Sequence, residues 1–189
     1  LYEHEGASFD LRVNSVGTLW GEDVAIRLSP KQSDSKKLDE LGFVGNQKAK
    51  VSRMVGSSGG LILVAGPTGS GKTTTLYALL DLLNDGNRKI NTLEDPIEYS
   101  VPGLCQTGIN GKRTLTFSTL LRGILRQSPD VIMIGEIRDE ETASIAVRAA
   151  NSGHLVLTTV HSPTAVTTIL SMNAMKVNSV FLASSLIGV

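Results

Sequence analysis

The sequence predicts an α/β fold built on a mainly parallel sheet, preceded by part of a small strand-bearing domain. Four short apolar runs, 61–65, 90–93, 131–134 and 155–160, have the length of strands buried on both faces. Helical patterns separate them, over 73–83, over 116–125 with Leu120, Leu121, Ile124 and Leu125, and over 140–150 with Thr142, Ile145, Ala146 and Ala149. Strands alternating with helices imply parallel strands covered on both faces.

Ahead of this core, Phe9, Leu11 and Val13 alternate, as do Val24, Ile26 and Leu28, with Gly17 and Gly21 between them as turn material. That pattern predicts an antiparallel strand pair within 1–30. The stretch from Ser29 and Pro30 through Lys37 is polar and lacks periodic apolar positions, so 31–37 reads as a linker and 38–189 as the main domain. Helical spacing starts at Leu38, and a second helix is expected from about Gln47 to Val55, ended by Ser57-Ser58-Gly59-Gly60. The chain opens on Leu1 rather than Met, and 180–189 is apolar and helix-like with no stop signal, so a C-terminally truncated piece of a longer protein is expected. There is no internal repeat.

A chain of 189 residues can bury a core of useful size. Its 18 basic and 18 acidic side chains balance, so no global field draws nucleic acid or anionic lipid, and a polyanion must be bound locally. One cysteine, Cys105, excludes an internal disulfide and a cysteine-rich zinc site and suits a reducing, cytoplasmic compartment. No apolar run reaches the roughly 18–20 residues of a spanning helix, so membrane contact is expected only through partners.

Gly66-Pro67-Thr68-Gly69-Ser70-Gly71-Lys72-Thr73 fits G-x-x-x-x-G-K-[ST], with an apolar strand before it and an amphipathic helix after. Glycines let such a loop curl so that backbone N–H groups face phosphate oxygens, and the helix N-terminus adds the positive end of its dipole. Lys72 would reach the β and γ phosphates of ATP, Thr73 would offer its hydroxyl to Mg2+, and Thr74 continues the phosphate-binding segment. A bland Gly-rich turn is the alternative, and the strand-loop-helix setting argues against it.

Hydrolysis needs separate carboxylates, one serving the cation and one orienting a water. Glu136 follows the run 131–134 and can hold magnesium or its water; Glu94, after the run 90–93 and within Glu94-Asp95-Pro96-Ile97-Glu98, is the better candidate for polarising the attacking water. A lone acid after a strand is more often a cap or a solvated loop residue. Two beside a phosphate loop are not. His154 and His161 flank the run 155–160, and an odd separation sends them to opposite faces unless the strand ends before His161, the expected ligand sensor. His154 is evenly balanced between packing and function. Among the arginines, Arg12 and Arg27 lie in the N-terminal strands and Arg122, Arg126 and Arg138 in the core, and any of them could be a surface or ion-pair residue.

With these residues in place, the chain resembles the secretion ATPases of type II secretion and type IV pilus assembly over almost its whole length. Four signatures occur in order: Gly66 to Tyr77 as Walker A; Thr92-Leu93-Glu94-Asp95-Pro96-Ile97-Glu98-Tyr99 as the aspartate box; Leu125-Arg126-Gln127-Ser128-Pro129-Asp130 with Gly135-Glu136-Ile137-Arg138-Asp139 as Walker B; and Gly153 to His161 as the histidine box. The resemblance implies a RecA-like P-loop motor domain following a small N-terminal α+β, PAS-like domain, in a homohexameric cytoplasmic ring that hydrolyses ATP and works on an inner-membrane platform protein. It implies that Glu94 is the general base, Glu136 the Walker B acid, His161 a nucleotide contact, and Arg12 and Arg27 arginines that approach the γ phosphate. The N-terminal pattern is closer to the assembly and export branch than to the retraction branch. Ser128, Asn151-Ser152 and Ser162-Pro163 depart from the usual family residues without touching the chemistry. A conjugation or DNA-transport motor and a poorly hydrolysing nucleotide-binding scaffold are the alternatives. The balanced charge disfavours the first, and retention of Lys72, Glu94 and Glu136 disfavours the second. A small-molecule kinase would want an acceptor lid, and a strand-rich N-terminal segment stands there instead.

Overall fold

The computed structural model describes residues 2–4, 7–30, 36–109 and 116–189, and the chain divides into two compact units, Leu1–Asp34 and Ser35–Val189. In the first unit, β1 (Tyr2–His4), β2 (Ala7–Thr18) and β3 (Gly21–Pro30) form an antiparallel sheet in the order β1-β2-β3. The expected pair is therefore a long hairpin, turned through Leu19 and Trp20, in which Thr18 faces Gly21 and Gly17 is already a ladder residue opposite Glu22. β3 is an edge strand, where a proline that cannot donate to a ladder is tolerated. It runs through Pro30, so Ser29 and Pro30 belong to the strand rather than to the polar stretch after it. Residues 31–35 of the expected linker, and 110–115, lie outside the described residues.

In the second unit, the turn expected to open a helix at Leu38 is only a 3-10 segment, Leu38–Leu41, ended by Gly42 in the left-handed conformation. Helix α1 spans Gln47–Val55 and leads into β4 (Gly60–Ala65). Then follow α2 (Lys72–Leu83), β5 (Ile90–Glu94), β6 (Cys105–Gly108), α3 (Phe117–Leu125), β7 (Val131–Ile134), α4 (Glu140–Asn151), β8 (Leu155–Val160), α5 (Ala165–Ala174), α6 (Ser179–Ser185) and β9 (Leu186–Gly188). The strands make one six-stranded sheet in the order β6-β5-β7-β8-β4-β9, every pair parallel. This bears out the parallel α/β expectation.

Period-two alternation divides each inner strand between two cores. Val131 and Met133 of β7 pack with Leu76, Tyr77, Leu79, Leu80 and Leu83 of α2, while Ile132 and Ile134 pack with Leu121 and Ile124 of α3 and with Ala143, Ala146 and Val147 of α4. Each such aliphatic burial contributes roughly 1.5–3 kcal/mol, which is why the four runs are apolar throughout rather than alternating. Helices α3, α4 and α5 start on side-chain caps: Thr116, Asp139 and Thr164 accept from Thr119, Thr142 and Thr167 backbone N–H groups.

The helix-like tail divides in two. Helix α6 ends at Ser185, and the chain then extends so that Leu186 pairs with Leu61 and Gly188 with Ile62. The open edge of β4 carries backbone groups that need partners, and pairing there outweighs the local helical pattern. Among the described residues no helix is long and apolar enough to cross a membrane.

Candidate functional site at the carboxyl edge of the sheet

Four neighbouring strands end on one edge, in the spatial order β5, β7, β8, β4, and each hands over to a residue singled out by its chemistry. β5 ends on Glu94, β7 leads to Gly135 and Glu136, β8 leads to His161, and β4 leads to the Gly66–Gly71 turn. Ligands of open α/β sheets bind at this edge. Backbone and hydroxyl bonds tie the strand tips together: Gly135 N–H donates to Leu93 O at 2.8 Å, Ile137 N–H to Thr159 O at 3.1 Å, and the Thr159 hydroxyl to Gly135 O at 2.7 Å.

In the loop, Gly66 is buried while Pro67, Thr68, Gly69 and Ser70 are exposed, and Ser70 Oγ donates to Pro67 O at 2.8 Å to brace the turn. Gly71, with φ 90°, caps α2 in a left-handed conformation and offers no side chain, so the first N–H groups of that helix have no side-chain acceptor. The Lys72 ammonium donates to Gly66 O and Pro67 O, both at 2.9 Å, which holds its charge beside those N–H groups. Such a donor set fits a polyphosphate.

Beside the loop lies a cleft of about 90 Å³, lined among others by Thr73, Glu94, Asp95, Gly135 and Glu136. Glu94 is only 3% exposed, and both its oxygens accept: Oε2 from the Tyr77 hydroxyl at 2.5 Å, Oε1 from the Thr92 hydroxyl at 2.6 Å and from Gln106 Nε2 at 3.3 Å. Glu136 accepts from Arg138 at 2.5 Å on Oε1, and its Oε2 stands 3.3 Å from His161 Nε2. The hydrogen bond from Arg138, helped by its charge and by His161, holds the Glu136 carboxyl below the usual carboxylate range against the opposing effect of burial. Glu136 is thus an anionic group facing the same cleft as the Thr73 hydroxyl. One carboxylate and one hydroxyl suit Mg2+, which is commonly held by one or two protein oxygens together with substrate phosphates. Among the described residues no cluster of three or more His, Cys, Asp or Glu forms a metal cage.

The structure therefore gathers Lys72, Thr73, Glu94, Glu136 and His161 along one edge. Arg12 and Arg27 belong to the other unit, where they face each other directly across β2 and β3. His161 lies just past β8 and His154 just before it, so the strand separates them end to end rather than face to face, by roughly 20 Å at about 3.3 Å per residue. His154 Nδ1 meets Ala149 O at 3.0 Å, next to the end of α4, which is a packing arrangement. Arg122 pairs with Glu141 at 2.6 Å between α3 and α4. Asp130 sits at the start of β7, where its carboxylate accepts from Lys89 N–H at 2.7 Å, away from the cleft. Sequence reasoning missed Tyr77, Thr92, Gln106 and the contact of Arg138. A spacing of two, between Glu136 and Arg138 and between Thr92 and Glu94, was the local signal; Tyr77 and Gln106 reach Glu94 through the fold.

A Gly-rich loop between strand and helix on the carboxyl edge of a parallel sheet, with carboxylates at the two strand tips beyond it, defines a P-loop protein of the RecA-like class. The chain belongs to the type II/IV secretion system protein family, whose description matches residues 3–189. It is 48% identical over 184 residues to the type II secretion system protein HxcR of Pseudomonas aeruginosa, covering 97% of this chain and 39% of that protein. It is 44% identical over 178 residues to the type IV pilus assembly ATPase PilB of Acinetobacter baylyi, covering 94% of this chain and 31% of that one. Among solved structures it is similar to the pilus retraction motor PilT with bound ADP, with a TM-score of 0.72, 34% identity, and coverage of 93% of this chain and 56% of the other. The chain thus spans less than two fifths of the length of these curated relatives.

Proposed function

We propose that this chain is the nucleotide-binding part of a cytoplasmic ATPase motor that powers type II secretion or type IV pilus assembly. The observation that carries the reading is the cleft beside the phosphate loop, lined at once by Thr73, Glu94 and Glu136. ATP is the substrate. Lys72 and the first N–H groups of α2 bind its phosphates. Glu94 accepts the proton of the attacking water, and burial keeps it away from bulk solvent. Thr73 and Glu136 are the residues that would hold magnesium, which supplies positive charge to the β and γ phosphates. His161, within reach of Glu136, contacts the nucleotide side of the cleft.

Arg12 and Arg27 complete a site in a neighbouring copy of a homohexameric ring. Arg12 and Arg27 are direct partners in the β2–β3 ladder, which puts the two basic side chains on one face of the hairpin, where both can approach one phosphate. Relatives named for type II secretion and type IV pilus assembly support work within such a machine, and the proposed partner there is its inner-membrane platform protein, through which membrane contact is made. No nucleic-acid partner is proposed, since 18 basic and 18 acidic side chains leave no net positive field.

Magnesium-dependent ATP hydrolysis and nucleotide binding by the parent, Lys72→Ala and Glu94→Gln test the reading. Lys72→Ala should weaken binding at least tenfold, and Glu94→Gln should keep binding within about twofold while removing turnover on the order of a hundredfold. Parental hydrolysis by Glu94→Gln would overturn the assignment of the base.

A further inference from the structure

The Glu94 carboxylate is buried on the α2 side of the sheet, and the groups that hold it come from three elements. Tyr77 belongs to the second turn of α2, Thr92 precedes Glu94 by two residues on the same face of β5, and Gln106 lies on β6. An ionised carboxylate has about four acceptor positions, and these three donors fill all but one. Tyr77 is itself fixed: it is 1% exposed, and its ring lies against Tyr99 with centroids 4.2 Å apart. Gln106 is fixed too, accepting from Val101 N–H at 2.7 Å and donating to Tyr99 O at 3.0 Å. Burial, and then the neighbouring carboxylate, push the Tyr77 phenol far above its ordinary range, so it is a permanent donor to Glu94.

A purely structural account of this cluster is weak. Leu76 and Met133 line the same cleft as Glu94, and an apolar group of similar size would pack there without the desolvation cost of a carboxylate. The cluster also has a mechanical property, because α2 begins at Lys72, the residue that follows the phosphate loop, and carries Tyr77 five positions later. A helix of this length is stiff, so the place of its N-terminus at the phosphate loop and that of the Tyr77 hydroxyl are set together.

We propose that Tyr77 and Thr92 are positioning residues that hold the Glu94 carboxylate toward the cleft with one acceptor position left for a water, and that Tyr77 ties this orientation to the phosphate loop. The proposal rests on the reading of Glu94 as the base. Its test is steady-state ATP hydrolysis and nucleotide binding by the full chain as Tyr77→Phe, Thr92→Val, Glu94→Gln and the double variant Tyr77→Phe with Glu94→Gln, each with its melting temperature. Tyr77→Phe and Thr92→Val should each lower kcat on the order of tenfold while KM for ATP stays within about twofold, since misorientation of the base affects the chemical step and not binding. In the Glu94→Gln background, Tyr77→Phe should cause no further loss of residual turnover. Parental kcat in Tyr77→Phe, or an equal loss in both backgrounds, overturns the positioning role; if Tyr77→Phe does not fold, Thr92→Val decides. Glu94→Gln distinguishes the two levels: turnover at the parental rate in that variant sinks the base assignment itself, whereas its inactivity beside an unimpaired Tyr77→Phe sinks only the clamp.

Discussion

Arg138 lays its guanidinium on Glu136 at 2.5 Å and stands 3.9 Å from Asp95, so one side chain joins the acidic residues that follow β5 and β7. The arginine is largely exposed, and its pairing energy alone would be small. What it fixes is direction: Glu136 has Arg138 on one oxygen and His161 on the other.

Arg138→Gln should therefore lower turnover on the order of tenfold, about 1.4 kcal/mol in the barrier, while nucleotide affinity changes less than twofold. Steady-state hydrolysis beside equilibrium binding of a fluorescent nucleotide checks this. A variant with unchanged kcat would show that Glu136 keeps its orientation without the guanidinium.

The two histidines should separate. His161→Ala removes a ring 3.3 Å from Glu136 and should lower turnover on the order of tenfold. His154→Ala removes a contact to Ala149 O at the far end of β8 and should leave kcat within about twofold, with a melting temperature lower by a few degrees for about 1 kcal/mol. Comparable losses of kcat in both would contradict the end-to-end separation imposed by β8.

These histidines also mark what a sequence can and cannot convey. That 155–160 is a strand is a local matter of apolar run length, and so is the strand-loop-helix setting of Gly66 to Thr73; both were legible. Where β8 begins and ends decides whether His154 and His161 differ by face or by end, and boundaries depend on neighbouring strands. β6, Cys105–Gly108, has no apolar run at all and is a strand because β5 offers it a ladder from Asn91 to Glu94. β9 likewise exists through the edge of β4. Of the donors to Glu94, Thr92 lies two positions away on the same strand and was open to local reasoning, whereas Tyr77 and Gln106 lie 17 and 12 positions away, so only the packing of α2 and β6 against β5 could reveal them.

If Arg12 and Arg27 serve the site of a neighbouring copy, specific activity should rise with protein concentration as the ring assembles. Arg12→Ala and Arg27→Ala should each reduce activity on the order of a hundredfold or more at saturating concentration, and nucleotide affinity by much less. Hydrolysis assayed across a concentration series, with assembly followed by light scattering, provides the comparison. Concentration-independent activity unaffected by either substitution would leave a self-contained site.

Gly71 and Gly153 provide a matched pair, since φ is 90° and 101° and a Cβ at either would meet no atom within 4 Å. Alanine at each is therefore opposed by backbone strain rather than by collision, at a cost of about 1–2 kcal/mol. Gly71 caps α2 at the phosphate loop, whereas Gly153 turns the chain between α4 and β8 at the opposite end of the sheet. Both substitutions should lower the melting temperature by roughly 2–8 °C for a chain of this size. Only Gly71→Ala should also weaken nucleotide binding, because relief of its strain must come from the loop whose N–H groups face the phosphates; Gly153→Ala assayed well below its melting temperature should bind and turn over like the parent. Equal losses of affinity in the two variants would mean that the glycine pattern of the loop protects general stability and not the shape of the anion site.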